Sequence, residues 1–224
     1  MIAAIDIETM RNKDAIDLMP EPEVKVGNLK DPDKIAAKIE EAKAEQIAKA
    51  ALDPLTARIA AYAAVGGAPK GAEATEFVQV IKEDSDMAER DIVQSILSML
   101  GADKMRIVSW NGIGFDLPMI YRRAMILGVD PAQYGAPPLS AWTKKYSNDR
   151  HYDLMQLWGN WRDYTKLDTV ARVVLGASKT EFDVTLIPEL INTKDGKDKL
   201  AEYCVQDTRL TWQLFQRMNG FLFA

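Results

Sequence analysis

Apolar and polar positions change period several times along the chain, and each change marks an element. Residues 1–8, MIAAIDIE, alternate loosely and predict a strand. Residues 11–32 carry Pro20, Pro22, Gly27 and Pro32 and predict a loop. From Asp33 to Leu52 the composition turns to Ala, Lys, Glu and Ile, with a thin apolar stripe of Ile35, Ile39 and Ala42. Glu45 precedes Lys49 by one helical turn, the favourable order for an ion pair. A helix is expected there, stopped by Pro54.

Arg58 to Val65 is apolar and Glu76 to Ile81 is rich in strand formers, with GGAPKG between them. That pattern predicts a hairpin. Asp86 and Glu89 resemble a capping box that opens a helix through Leu100. Arg106 to Trp110 reads as a short buried strand, and Leu117 to Leu127 as a helix ended by Gly128. Residues 130–150 read as a long loop, and His151 to Leu157 as a further strand. Helices are expected near 165–175 and 197–218. This order predicts one α/β domain over residues 1–224 with a mixed sheet, and residues 11–52 as an insertion after the first strand. The opening strands are expected to be antiparallel, and the later ones, separated by helices, parallel.

Composition narrows the class. Of 224 residues, 47% are apolar, enough for a substantial core. No apolar run approaches a membrane span. Asp6 and Glu8 interrupt the N-terminal apolar run and no basic region precedes it, which argues against a signal peptide. Cys204 is the only cysteine, so an internal disulfide is impossible and a reducing, cytoplasmic setting is expected. The net charge of −5 argues against a passive nucleic-acid-binding module, which is usually basic. It leaves a metal-dependent nuclease open, because bound cations reverse the sign of an acidic cleft.

Three carboxylate motifs carry candidate chemistry. Asp6 and Glu8 are two apart on a strand and share a face. Their repulsion raises at least one pKa, and a cation removes that cost. Two solvated acids on an exposed strand fit the same spacing. Asp116 closes WNGIGFD, where Asn111, Gly112 and Gly114 give permissive backbone and Phe115 offers a ring to a base. A simple helix cap by Asp116 is the alternative. Tyr203 and Asp207 are four apart on one helix face. An Asp on the packed side is costly unless paired or metal-bound, whereas a surface Asp beside a core-edge Tyr carries no such cost. In series, four acids and a phenol suit two divalent cations over a phosphodiester bond.

The series resembles the DEDD superfamily of 3′→5′ exonucleases, which share an RNase H-like fold. The D-x-E motif falls on Asp6 and Glu8, the second Asp on Asp116, and Y-x-x-x-D on Tyr203 and Asp207. Glu202, not His, stands five before Asp207, so the chain resembles the Tyr subtype found in proofreading domains of family A and family B DNA polymerases. The segments IAAIDIET, SWNGIGFDLPMI, HYDLMQLW, LGASKTEFD and EYCVQDTRLTWQLF look closest to stand-alone relatives of the family B proofreading domain. Residues 11–52 lie outside the resemblance, and nothing resembles polymerase palm or fingers motifs.

The resemblance implies a 3′→5′ DNA exonuclease that releases nucleoside 5′-monophosphates with two divalent cations, Mg²⁺ or Mn²⁺. Asp6, Glu8 and Asp207 would hold one ion, and Asp6 and Asp116 the other. Tyr203 would orient the attacking water. Thr9 and Met10 would line the terminal nucleotide, Asn111 and Phe115 would hold the unpaired strand, and Lys179 would contact phosphate or stand as an exposed, solvated lysine. Single-stranded or frayed 3′ DNA ends are the expected substrates, with a replication or repair protein as an open partner and no membrane. An exoribonuclease of the same superfamily and a catalytically silent nucleic-acid-binding relative are the alternatives. His151 reads as structural and Asp153 as a support of the site. Lys144, Lys145 and Arg150 fit either a backbone-tracking cluster or a solvated loop. Trp110, Trp142, Trp158 and Trp161 read as core and loop anchors. The 33–52 helix, with Lys30, Lys34, Lys38, Lys43 and Lys49, is expected either to flank the substrate cleft or to form a solvated arm.

Overall fold

The computed structural model describes residues 1–25, 27, 31–67 and 74–223. In chain order the strands are β1 (Ile2–Arg11), β2 (Ala57–Gly66), β3 (Thr75–Val80), β4 (Arg106–Ser109) and β5 (His151–Asp153). The first helices are α1 (Lys13–Asp17), α2 (Pro32–Lys49), α3 (Asp86–Leu100), α4 (Asp116–Ile126) and α5 (Leu139–Trp142). They are followed by α6 (Leu154–Trp158), α7 (Leu167–Leu175), α8 (Ile187–Leu190) and α9 (Lys194–Met218).

The sheet order is β3-β2-β1-β4-β5. β1, β2 and β3 form an antiparallel meander, while β4 runs parallel to β1 and β5 parallel to β4. This is the mixed sheet that the sequence pattern predicts, and an RNase H-like α/β arrangement. The turn residues Ala68 to Gly71 and the side chain of Lys30 lie outside the described residues.

β1 sits at the centre and feeds two cores, because its side chains alternate between faces. Ala3, Ile5 and Ile7 pack in one core with Ile92, Ile96 and Leu97 of α3 and Ile120 of α4. Ile2 and Ala4 pack in the other with Val170 of α7 and Leu214 and Phe215 of α9. The next two residues on that second face are Asp6 and Glu8. Their cross-strand partners on β2 are Ala63 and Ala61. Methyl groups there leave room for α9 to lie close over the acids. Cys204 of α9 accordingly brings its Sγ within 3.8 Å of the Asp6 carbonyl oxygen. Just past Glu8 the pairing shifts, so that Thr9 faces Ile59 and Ala60 is left out of register. A bulge of this kind bends the strand at the edge of the acidic face.

Five local expectations are corrected. Residues 11–32 hold a short helix, α1, within the predicted loop, and the insertion helix starts one residue early at Pro32, after an Asp31 cap. Asp86 and Glu89 do not form a capping box: Ser85 caps α3 by accepting from the Ala88 N–H at 3.2 Å. Glu89 is fully buried instead and takes Arg123 Nε at 2.8 Å, Arg123 Nη2 at 2.6 Å and the Ile59 N–H at 2.9 Å. A buried carboxylate needs such partners, and this one ties α3 to α4 and β2. The stretch His151–Leu157 is a strand only to Asp153, which then caps α6. Residues 130–150 include a short 3₁₀ helix, Pro131–Tyr134, and α5.

Candidate active site

The middle of β1, the loop from β4 into α4, the start of α7 and the middle of α9 enclose one cleft of about 220 Å³. Asp6, Glu8, Asp116, Tyr203 and Asp207 all line it, with Asn111, Phe115 and Lys179. Three segments far apart in sequence therefore bring four carboxylates and a phenol to one place. Trp110 and Leu167 complete the wall.

Asp116 is the first residue of α4, and its side chain does not cap the helix. Its Oδ1 accepts from the N–H of Ile7 at 3.3 Å, which fixes the second acid against the strand that carries the first two. The loop before it is braced from below. Asn111, with φ of 72°, and Ile113 both donate their N–H groups to Asp153, at 3.1 and 2.9 Å. Gly112 donates to Ser109 Oγ at 2.9 Å, and a Cβ at that position would collide with the same hydroxyl. Ser109 Oγ is in turn 2.7 Å from His151 Nε2, and His151 Nδ1 is 2.9 Å from the Trp142 carbonyl. A carbonyl can only accept, so Nδ1 carries the proton and Nε2 accepts from Ser109. Burial lowers the His151 pKa, which keeps this ring neutral and structural.

The cleft is electrostatically loaded. Burial, then repulsion from Asp116, Glu8 and Asp207, pushes Asp6 well above the ordinary carboxylate range. Burial and Asp207 push Glu8 up to about 8. Burial pushes Asp116 up to about 7, against the hydrogen bonds from its own and the Ile7 backbone N–H. Burial raises Asp207 as well, against the opposing pull of Lys179. Lys179 pairs with Asp207 Oδ2, and its ammonium lies 5.4 Å from the centre of the Tyr203 ring. Burial works against the Lys179 charge, but the attraction and hydrogen bond of Asp207 outweigh it and raise that pKa. Tyr203 is stacked on Phe182 with ring centroids 4.2 Å apart. Burial, then Glu8 and Asp207, raises its phenol far above its ordinary value.

The donor set fits divalent cations. Asp207 Oδ1 is buried with no hydrogen-bond partner, and burial raises the pKa of three neighbouring carboxylates, aided at Asp6 and Glu8 by repulsion between the acids. Carboxylate oxygens suit hard ions such as Mg²⁺ and Mn²⁺. Ligand atoms of Asp6, Glu8 and Cys204 also lie within 4.8 Å of one another. Burial and the surrounding acids raise the Cys204 thiol, which keeps it protonated and a poor ligand.

Thr9 and Met10 are not brought into the cleft lining. The Thr9 hydroxyl donates to the Ala51 carbonyl at 2.6 Å, and Met10 is packed in the core at 1% exposure. His151 and Trp142 are structural, as read from sequence; residues missed are Ser109, which joins their bracing group, the Phe182 stack, and Asp168, whose Oδ1 holds the Lys179 N–H at 2.9 Å. Ser109 ends an apolar strand segment that hid it, and Phe182 lies in a polar stretch with no periodic signal to single it out. Helix α2 contributes nothing to this lining; Ile47 and Ala48 face a separate cavity of about 360 Å³ with Arg11 and Leu186.

An RNase H-like sheet with a buried acidic cleft over its central strand is the architecture of a nuclease domain. Residues 52–222 match the family described as "Predicted 3'-5' exonuclease related to the exonuclease domain of PolB", and the chain belongs to that family. It is 32% identical over 128 residues to DNA polymerase 1 of Aeropyrum pernix and 34% identical over 119 residues to DNA polymerase 1 of Saccharolobus solfataricus. Those stretches cover 52% and 48% of this chain but only 12% and 13% of the polymerases. The solved structure of the family B DNA polymerase from Pyrobaculum calidifontis shares the fold, with a TM-score of 0.57 and 20% identity over 97% of this chain and 24% of that one.

Proposed function

We propose that the chain is a metal-dependent exonuclease that removes nucleotides from the 3′ end of DNA and releases nucleoside 5′-monophosphates. The observation that carries this reading is the buried Asp207 Oδ1, unpartnered among three further acids whose ionisation is suppressed. Asp6, Glu8 and Asp207 would hold one divalent cation, and Asp6 and Asp116 a second. Such a pair, when bound, supplies Lewis acidity to the attacking and leaving oxygens of an in-line displacement.

The protein's own groups then do the positioning. Tyr203 stays protonated, so its phenol orients the attacking water by a hydrogen bond and does not take its proton. Phe115 and Asn111, which line the cleft beside the Asp153 brace, would hold the terminal bases unpaired. Lys179 carries a fixed positive charge beside Tyr203 and Asp207, suited to a phosphate oxygen. Thr9 and Met10 act through the shape of the end of β1, behind the cleft wall. Preference for DNA follows the DNA polymerases that the chain is similar to.

The test is a digest of matched DNA and RNA single strands, labelled at either end, with products identified by mass. Stepwise shortening of DNA from the 3′ end with nucleoside 5′-monophosphates released is the expected result. Endonucleolytic fragments, or faster loss of RNA, would overturn the assignment of substrate and polarity. No described helix is long and apolar enough to cross a membrane.

A further inference from the structure

Two loops beside the cleft have no part in holding metal. They are residues 143–150, before β5, and residues 159–166, between α6 and α7. Together they carry five basic and two acidic residues in a chain of net charge −5. Lys144, Lys145, Arg150, Arg162 and Lys166 are all exposed. None of them takes part in an ion pair among the described residues. Three of the four lysines of α2 differ: Lys34, Lys43 and Lys49 each have an acidic partner.

Aromatic rings are interleaved with these charges. Tyr146 is 78% exposed and Tyr164 is 74% exposed. Tyr146 lies against Trp161 with ring centroids 4.9 Å apart, which joins the two loops. Tyr146, Asn160 and Trp161 all have left-handed backbone, with φ of 62°, 50° and 63°. Such conformations cost about 1–3 kcal/mol each outside glycine. At Tyr146 no core packing offsets that cost.

The surface is continuous with the cleft. Trp110, in the cleft wall, donates its indole N–H to the Thr165 carbonyl at 3.0 Å. Leu167, which lines the cleft, follows directly on Lys166. Tyr164 and Lys166 thus flank the point at which the second loop is fastened to the cleft.

We propose that these two loops form a track for single-stranded nucleic acid, holding the strand upstream of the nucleotide in the acidic cleft. Bases stack on Tyr164 and on the Tyr146–Trp161 pair, and phosphates meet the unpaired cations. The direction in which the strand runs rests on the exonuclease reading; the affinity for the strand does not.

The test is fluorescence anisotropy in EDTA with labelled DNA strands of about four and about twenty nucleotides, and an RNA strand of the longer length. The wild-type protein should bind the longer strand more tightly. Replacing Lys144, Lys145, Arg162 and Lys166 together by Ala should raise its Kd at least tenfold. The plot of log affinity against log salt should become shallower by about 3 units, at roughly 0.7 for each phosphate that is no longer neutralised. Tyr164→Ala, a milder change, should weaken the longer strand about tenfold with little effect on the shorter. Thermal melts establish that the variants are folded, and Tyr164→Ala alone decides if the fourfold variant is not. Equal wild-type affinity for both lengths overturns the proposal, as does unchanged affinity in the folded variants. The RNA arm shows whether the sugar matters. Absence of cleavage by the wild-type protein in Mg²⁺ would contradict the exonuclease reading and leave this binding result standing.

Discussion

Lys179 and Asp207 share one ion pair that satisfies only half of the carboxylate: Oδ2 meets the ammonium and Oδ1 is left buried with no partner. The pair therefore compensates part of the acidic cleft and leaves the rest for a ligand. Lys179 also presses the Glu8 and Asp6 pKa values downward, against burial and repulsion.

Removing that charge should be felt most without metal. Lys179→Met is expected to cost about 1–2 kcal/mol of stability in EDTA, below the range for a fully buried pair because the lysine is partly exposed. Urea unfolding with and without Mg²⁺ checks this. The loss should shrink when Mg²⁺ is present, and an equal loss in both would mean that Lys179 does not share its role with a cation.

The acids also set a pH dependence. Glu8 at about 8 and Asp116 at about 7 are protonated in the fold at pH values where the unfolded chain has them ionised. Folding then takes up protons, so metal-free stability falls as pH rises from about 4 through about 8. Divalent cations bind the ionised form, so their stabilisation should grow over the same window. Melting temperatures at mildly acidic and mildly alkaline pH, each in EDTA and in Mg²⁺, test both halves. A metal-free protein that is more stable on the alkaline side contradicts the account.

Tyr203→Phe should lower kcat but retain more activity than Asp207→Ala, since a protonated phenol only orients water. Steady-state rates on a single-stranded substrate decide it. If the two variants are equally inactive, the phenol carries more of the chemistry than orientation.

Phe115→Ala should weaken single-strand binding about tenfold, from a stacking contribution of about 1–3 kcal/mol per base. Mg²⁺ binding by calorimetry should change little. Unchanged strand affinity would remove Phe115 from the substrate path.

How much of this was legible in the sequence depended on whether the signal was local. β1 and its two acids follow from alternation alone, and the hairpin and α9 from period and length. The order of the motifs along the chain picked out the residues that meet in the cleft. What stayed hidden depended on partners distant in sequence. Glu89 stands three past Asp86, but the cap is Ser85, so Glu89 falls one residue beyond the capping position and Arg58 and Arg123 draw it into the core. His151 and Ser109 are forty-two positions apart and carry no motif. Thr9 follows Glu8 directly, but the bulge there and the Ala51 carbonyl direct its hydroxyl into the insertion. Asp153 lies inside the run His151 to Leu157 that reads as one strand, and its double role, capping α6 and bracing the loop at Asn111, shows only in three dimensions.

The most direct test of the central claim follows a 3′-labelled single strand of DNA with the wild-type protein and Asp207→Ala, each in Mg²⁺ and in EDTA. The account predicts release of labelled nucleoside 5′-monophosphate only by the wild-type protein in Mg²⁺, with the variant folded and at least as stable as the wild type without metal. Equal release in EDTA, or by folded Asp207→Ala, would contradict it.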